Sequence, residues 1–399
     1  MINEKYHSDK ITVHNRVVFQ PMEGCDCNGD GSPGALTKRK YLRLAAGKAG
    51  IIWFEASAVC EEGRTNPRQM MLTEENLDSF RRLVEEVKNT ALKTGGFEPK
   101  LFLQLTHSGR QSMRPVIAYH NPVYERERPL DDGCIASDEY LDALPEKYSA
   151  SAVLAQKAGF DGVDVKCCHG YLMPELLSAF ERKGRYGGSF ENRTRLFLAC
   201  IRAVVSSVGI LTVSRFGACD MVPAPYGFGN DGNGEIDFTE PKALLGQMVN
   251  CGISMLNVTI GNPYYNPHVN RPYRKGFYTP PEPPEKGLER FIAVEKELKQ
   301  TCPGLPVVGS GMSYYRGGMM SKAEELLQEG VCDFAGFGRQ TLAYPQFYSD
   351  WLEGRLDERK CCVTCSKCTM LMRRKCTAGC AVFDETYKSL FRESELCSK

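Results

Sequence analysis

The chain has almost no net charge: 50 lysines and arginines stand against 49 aspartates and glutamates, leaving +1 over 399 residues. Nothing in that balance supplies the one-signed field that draws nucleic acid or an acidic membrane surface. There is no uninterrupted apolar run long enough to cross a bilayer. The opening MINEKYHSDK has charge but lacks the apolar stretch of an export signal, so a cytoplasmic setting is expected. No GxGxxG turn follows any candidate strand, which disfavours a doubly wound nucleotide-binding sheet. Low-complexity segments are absent too, as are repeats beyond a plain strand–helix alternation. What is abundant is cysteine, with 18 residues. Without an export signal these read as reduced thiols and metal ligands, not disulfides.

With 42% hydrophobic and 25% charged residues, the chain can build one large domain plus an appendage. Short apolar strands are expected at 17–21, 51–56, 100–105, 162–165, 211–214, 255–259, 306–309 and 334–337. Helical patterns fall at 36–49, 74–90, 192–205, 240–251, 288–301 and 321–330. Eight strands, mostly followed by helices, predict an α/β fold, a (β/α)8 TIM barrel over 1–350. Residues 351–399 then form a short C-terminal cysteine-rich extension. Three insertions, at 108–139, 220–236 and 262–284, follow strands on the face where barrels keep their sites. They read either as mobile surface loops or as pocket walls; Tyr226, Phe228, Tyr264 and Tyr265 favour walls.

The extension contains CCVTCSKCTMLMRRKCTAGC at 361–380. Cys362, Cys365 and Cys368 are separated by two residues each, and Cys380 follows after eleven more. That spacing suits four thiolates on an iron–sulfur cluster, with an all-cysteine tetrahedral zinc site as the competitor. The three-cysteine head favours the cluster; Cys361 is a spare, and Cys376 is a rival to Cys380 for the last position.

One stretch organises the rest: 161–193, DGVDVKCCHGYLMPELLSAFERKGRYGGSFENR. It ends a buried strand and then places Lys166, His169 and Tyr171 within six residues. A strand end fixes such groups while the following loop leaves them reachable. From the residues alone, a solvated loop is an equal reading. The motifs HGYL (169–172), LLSAF (176–180) and YGGSFENRTR (186–195) resemble the Old Yellow Enzyme family. More narrowly, they resemble its iron–sulfur branch, which holds 2,4-dienoyl-CoA reductase and trimethylamine dehydrogenase.

The resemblance implies an FMN site assembled from consecutive strand ends. Pro21, Met22 and Glu23 match the segment that lies along the flavin ring, and Ala56 falls in the family's EA(T/S)AV…EGR stretch. Gln104, within a QLxHxGR-like run, would hydrogen-bond the pyrimidine edge, and Arg215 would sit near N1 of the ring. Ser310, Gly311, Gly338 and Arg339 belong to glycine-containing turns suited to a phosphate. Taken singly, Gln104 could be a satisfied core amide, Arg215 a buried ion pair and GSG an ordinary turn.

The cysteine spacing likewise resembles the branch's [4Fe-4S] motif. The implied chemistry is ene-reduction of an α,β-unsaturated carbonyl or carboxylate compound, with Tyr171 as proton donor and His169 gripping the substrate oxygen. Lys166 stands where the family has the first histidine of its His-x-x-His/Asn pair. A lysine there could polarise a carbonyl, pair with a substrate carboxylate, or be neutralised by Glu23. The family's covalent-flavin cysteine aligns with Glu23, with Cys25 two residues later, so a non-covalent flavin is expected.

The chain stops about twenty residues after Cys380, so a stand-alone barrel is expected. It would be reduced by NAD(P)H or by a ferredoxin or flavoprotein partner, and a homo-oligomer is compatible with it. The alternatives are dehydrogenation of an amine or other C–H donor, with electrons leaving through the cluster, and a non-catalytic electron-transfer subunit.

Overall fold

The computed structural model describes residues 1–396 apart from 127, 232 and 277. A small antiparallel hairpin, β1 (Tyr6–His7) and β2 (Thr12–Val13), precedes eight parallel strands. These are β3 (Val17–Phe19), β4 (Ile51–Ala58), β5 (Lys100–Thr106), β6 (Gly162–Val165), β7 (Leu211–Gly217), β8 (Leu256–Thr259), β9 (Val307–Gly309) and β10 (Phe334–Phe337). Each pairs with the next, and β10 returns to β3 to close the cylinder, with Ala335 opposite Val17 and Phe337 opposite Phe19. The TIM barrel expected from the strand–helix alternation is therefore present, and all eight expected strands are found with small shifts at their ends.

Strand alternation sorts the side chains into two layers. Val17 and Phe19, Ile52 and Phe54, Leu101, Leu103 and Leu105 face outward into the main core beneath the helices. Val18, Ile51, Trp53, Phe102, Val213, Met255, Val308 and Phe334 form a separate cluster filling the interior. Ile11 and Val13 of the hairpin belong to that inner cluster, so the hairpin stoppers the N-terminal end. Sequence periodicity did not reveal that hairpin, whose two-residue strands are too short to show a pattern.

Phe102 is fully enclosed and meets Trp53 edge-on, with ring centroids 5.1 Å apart. Replacing it by alanine is expected to cost about 3–5 kcal/mol. Urea unfolding followed by circular dichroism checks this, and a loss under about 1 kcal/mol would mean the ring is not packing the interior.

The expected helical segments are all present, and among the helices added to them one is long. Asp138–Ala158 is a 21-residue helix, capped by Ser137 accepting from the Tyr140 amide and ended by Gly159 at φ 91°. Pro145 lies inside it and masks it in the sequence, because proline is normally excluded from helix interiors. Beyond the barrel, Lys367–Arg373 and Glu385–Leu396 are helical. They enclose a small apolar cluster of Leu371, Ala378, Ala381, Tyr387 and Phe391. This segment is tied to the loop after β3: the Ala378 amide donates to the Gly24 carbonyl at 2.7 Å, and the Thr377 hydroxyl to the Cys25 carbonyl at 3.1 Å.

Candidate active site

Along each inward-facing row the side chains change character from bottom to top. Val18 gives way to Gln20, Phe102 to Gln104, and Val213 to Arg215, each pair two residues apart and so on one face. On β6 the same row reads Asp164 and then Lys166. On β4 a register shift between Phe54 and Ala56 breaks the alternation and turns Ala56 to the inside. The apolar plug thus ends midway, and a cavity opens at the C-terminal mouth.

Pro21, Met22, Glu23, Ala56, Gln104, Arg215, Ser310, Gly311, Gly338 and Arg339 all line this cavity, as do Lys166, His169 and Tyr171. The structure brings together every barrel residue assigned from the sequence to the flavin or to catalysis. It adds Arg271, Thr259, Phe291 and Met372. Of the four aromatic residues expected as walls, only Tyr264 lines the cavity; Phe228 is buried in the outer core and Tyr226 packs against it. Arg271 was invisible in the sequence, where NRPYRK resembles any basic surface loop.

The floor is a set of fixed polar pairs. Gln20 and Asn257 exchange amide hydrogen bonds at 3.1 and 2.7 Å. Asp164 accepts from Trp53 Nε1 at 3.0 Å, Gln104 Nε2 at 2.6 Å and the Arg215 amide at 2.7 Å. Burial nevertheless raises its pKa to about 6. Gln104 is therefore oriented through its nitrogen, and its carbonyl oxygen has no protein partner among the described residues. The Arg215 guanidinium makes no ion pair among the described residues, and its Nε is buried and unpartnered.

The charge is lopsided. Lys166, Arg215, Arg271 and Arg339 line the cavity against one carboxylate, Glu23. Arg339 Nη2 donates to the Pro272 carbonyl at 2.9 Å, but among the described residues its Nη1 has no partner, nor do Nε and Nη2 of Arg271. Burial, with Arg339 beside it, lowers the Arg271 pKa to about 10. Buried N–H groups left unpaired on adjacent cations call for an anion. Gly311, at φ 84°, adopts a backbone conformation that a side chain would strain. Ser310 is less available than its position suggests, since its amide donates to Glu295 at 2.6 Å and its hydroxyl to the Val258 carbonyl at 2.8 Å. Orphan guanidinium groups at one end and a free amide carbonyl at the other fit a flavin mononucleotide, which has a phosphate and an N–H-bearing ring edge.

Tyr171, His169 and Glu23 line the same cavity. The Tyr171 hydroxyl donates to Glu23 Oε2 at 3.2 Å, and its ring lies 6.4 Å from that of Tyr264. Burial, followed by the Glu23 charge, pushes the Tyr171 pKa well above the ordinary phenol. His169 adopts a left-handed backbone, φ 68°, uncommon outside glycine. Burial and then Arg215, Lys166 and Arg271 hold its imidazole neutral, with a pKa well below the usual value. Cys25 is buried with its thiol 3.8 Å from Glu23, and does not line the cavity.

A second, smaller cavity adjoins the first, and Arg339, Leu342 and Cys368 line both. Cys362, Cys365, Cys368 and Cys380 all line it, whereas Cys361 and Cys376 do not. The Cys376 thiol instead donates to the Arg374 carbonyl. Among the described residues no three His, Cys, Asp or Glu side chains converge closely enough to hold a single metal ion.

The comparisons agree with this geometry. A family model described as "NADH:flavin oxidoreductase / NADH oxidase family" matches residues 7–229. The NADH oxidase of Thermoanaerobacter brockii is 27% identical over 366 residues, covering 89% of this chain and 51% of that protein. The NADPH dehydrogenase of Halalkalibacterium halodurans is 28% identical over 348 residues, covering 84% of this chain and 89% of the relative. Among solved structures, a 2-naphthoyl-CoA reductase in complex with 2-naphthoyl-CoA superposes with a TM-score of 0.78 at 19% identity. That match covers 96% of this chain and 56% of the other. The chain thus spans about half the length of the NADH oxidase and of the reductase. A closed barrel with these residues at its mouth, and a family match over more than half its length, place the chain in the NADH:flavin oxidoreductase / NADH oxidase family.

Proposed function

We propose that the chain is an FMN-dependent ene-reductase acting on an α,β-unsaturated carbonyl or carboxylate compound. The observation that carries this reading is a single cavity lined by a protonated Tyr171 and a neutral His169 together with the inward-facing Gln104 and Arg215. Bound in that cavity, FMN would supply two-electron transfer to the substrate carbon. Arg339 and Arg271 would hold its phosphate, Gln104 would accept from the ring edge, and Arg215 would stabilise negative charge beside it. His169 can donate one hydrogen bond to the substrate oxygen. Tyr171 can deliver a proton to the neighbouring carbon by giving up the hydrogen bond its hydroxyl donates to Glu23. Glu23 lines the cavity and Cys25 does not, which supports a flavin held without a covalent bond.

Cys362, Cys365, Cys368 and Cys380 are proposed to hold a [4Fe-4S] cluster. Their places round one cavity support Cys380 over Cys376. The two-residue spacers of the three-cysteine head favour a multi-atom cluster over zinc. The wall shared with the first cavity suits electron exchange between the two groups, and residues 351–399 are proposed as the unit that carries the cluster. The reductant is proposed to be NAD(P)H or a reduced electron-carrier protein. Anaerobic assays with enones, enoates and alkylamines test the assignment. Turnover of an activated alkene is expected; turnover of amines alone would replace this reading with amine dehydrogenation.

A further inference from the structure

One cation lining the cavity is left unexplained once a flavin's needs are met at Arg215, Arg271 and Arg339. Lys166 is only 5% exposed and lines the cavity. Its ammonium lies 4.0 Å from the centroid of the Tyr171 ring, and no hydrogen bond or ion pair to it is found among the described residues. The carboxylates that could neutralise it are otherwise engaged. Asp164, two residues earlier on the same face, is held by Trp53, Gln104 and the Arg215 amide. Glu23 is held by Tyr171, by the Thr65 hydroxyl at 3.2 Å and by the Cys25 thiol. A buried ammonium resting on an aromatic face is incompletely compensated, because the ring offers only its quadrupole.

We infer that Lys166 is a carboxylate-binding residue, and that the substrates of this site are α,β-unsaturated acids bound as anions, not neutral enones. This rests on the ene-reductase reading and sharpens it. One carboxylate oxygen would pair with the Lys166 ammonium and the other would accept from His169, three positions along the same loop. Placing the anion there puts the unsaturated chain alongside Tyr171, whose ring the lysine already touches. Burial presses the Lys166 pKa below the ordinary lysine value, and an arriving carboxylate would reverse that pressure. A neutral carbonyl could not, so the site discriminates by charge as well as by shape.

The test uses the flavin-loaded protein under anaerobic conditions, with cinnamate and cinnamamide as a matched pair. Dissociation constants are read from the perturbation of the oxidised-flavin spectrum, without turnover. The acid is expected to bind at least about tenfold more tightly than the amide. In a Lys166→Met protein the acid should lose about ten- to a hundredfold in affinity while the amide changes by less than about twofold. A Lys166→Arg protein should keep most of the preference. Equal binding of acid and amide by the unaltered protein overturns the inference and needs no variant to fold. So does a Lys166→Met protein that weakens both ligands alike, which would assign the lysine to the flavin or to packing. If neutral enones are turned over and no carboxylate preference exists, the ene-reductase reading survives and the role of Lys166 does not.

Discussion

A Tyr171→Phe protein should reduce activated alkenes about 10²- to 10⁴-fold more slowly while its flavin is still reduced by the electron donor at the normal rate. Two features of the site make the phenol suited to give up a proton only to a reacting carbon. Burial and the Glu23 carboxylate raise its pKa, so the hydroxyl stays protonated through the range in which the enzyme can be assayed. The hydroxyl donates to Glu23 at 3.2 Å, a bond it exchanges for the reacting carbon when it gives up its proton. Phenylalanine preserves the ring under Lys166 and leaves Glu23 its contacts with Thr65 and Cys25, so the loss should be confined to proton delivery. Stopped-flow measurement of the two half-reactions separates the outcomes. An unchanged oxidative half-reaction would remove Tyr171 from the acid role. Equal slowing of both halves would point to a disturbed flavin site.

The second large effect is expected at the cysteine cavity. Cys368 lines both cavities, so it occupies the wall between the proposed cluster and the flavin. Serine at this position is nearly isosteric but lacks the soft thiolate that iron–sulfur ligation requires. Protein prepared anaerobically should hold about four irons and four acid-labile sulfides per chain, and a Cys368→Ser protein should lose most of both. The same change at Cys376, whose thiol turns to the Arg374 carbonyl, should leave iron and sulfide untouched. One zinc and no sulfide in the unaltered protein would assign the four thiolates to a different ion.

Much of the barrel was legible because its signals are local. Each strand is a short β-branched or aromatic run, and each polar strand end follows its apolar run by two residues, as Arg215 follows Val213 and Gln104 follows Phe102. Lys166, His169 and Tyr171 could be found because one strand end and its loop carry all three. What escaped depends on distance in the chain. Arg271 gains meaning only when the loop after β8 folds back beside Arg339, more than sixty positions later. The engagement of Ser310 with Glu295 and Val258 likewise joins separate elements, so a glycine–serine–glycine turn looked freer than it is. The proposed preference for Cys380 over Cys376 also draws on the fold of 361–380, since spacing alone allowed either. The helix Asp138–Ala158 was hidden for the opposite reason, by a local proline signal that tertiary packing overrides.

The central claim is that this barrel mouth holds a flavin mononucleotide beneath Tyr171 and His169. Heat-denaturing the purified protein and identifying the chromophore left in the supernatant tests it most directly. The expected result is FMN, freely released, at about one per chain after incubation with excess cofactor and gel filtration. A colourless protein that takes up no FMN, or a yellow group that stays with the precipitate as a covalent adduct, would contradict the account.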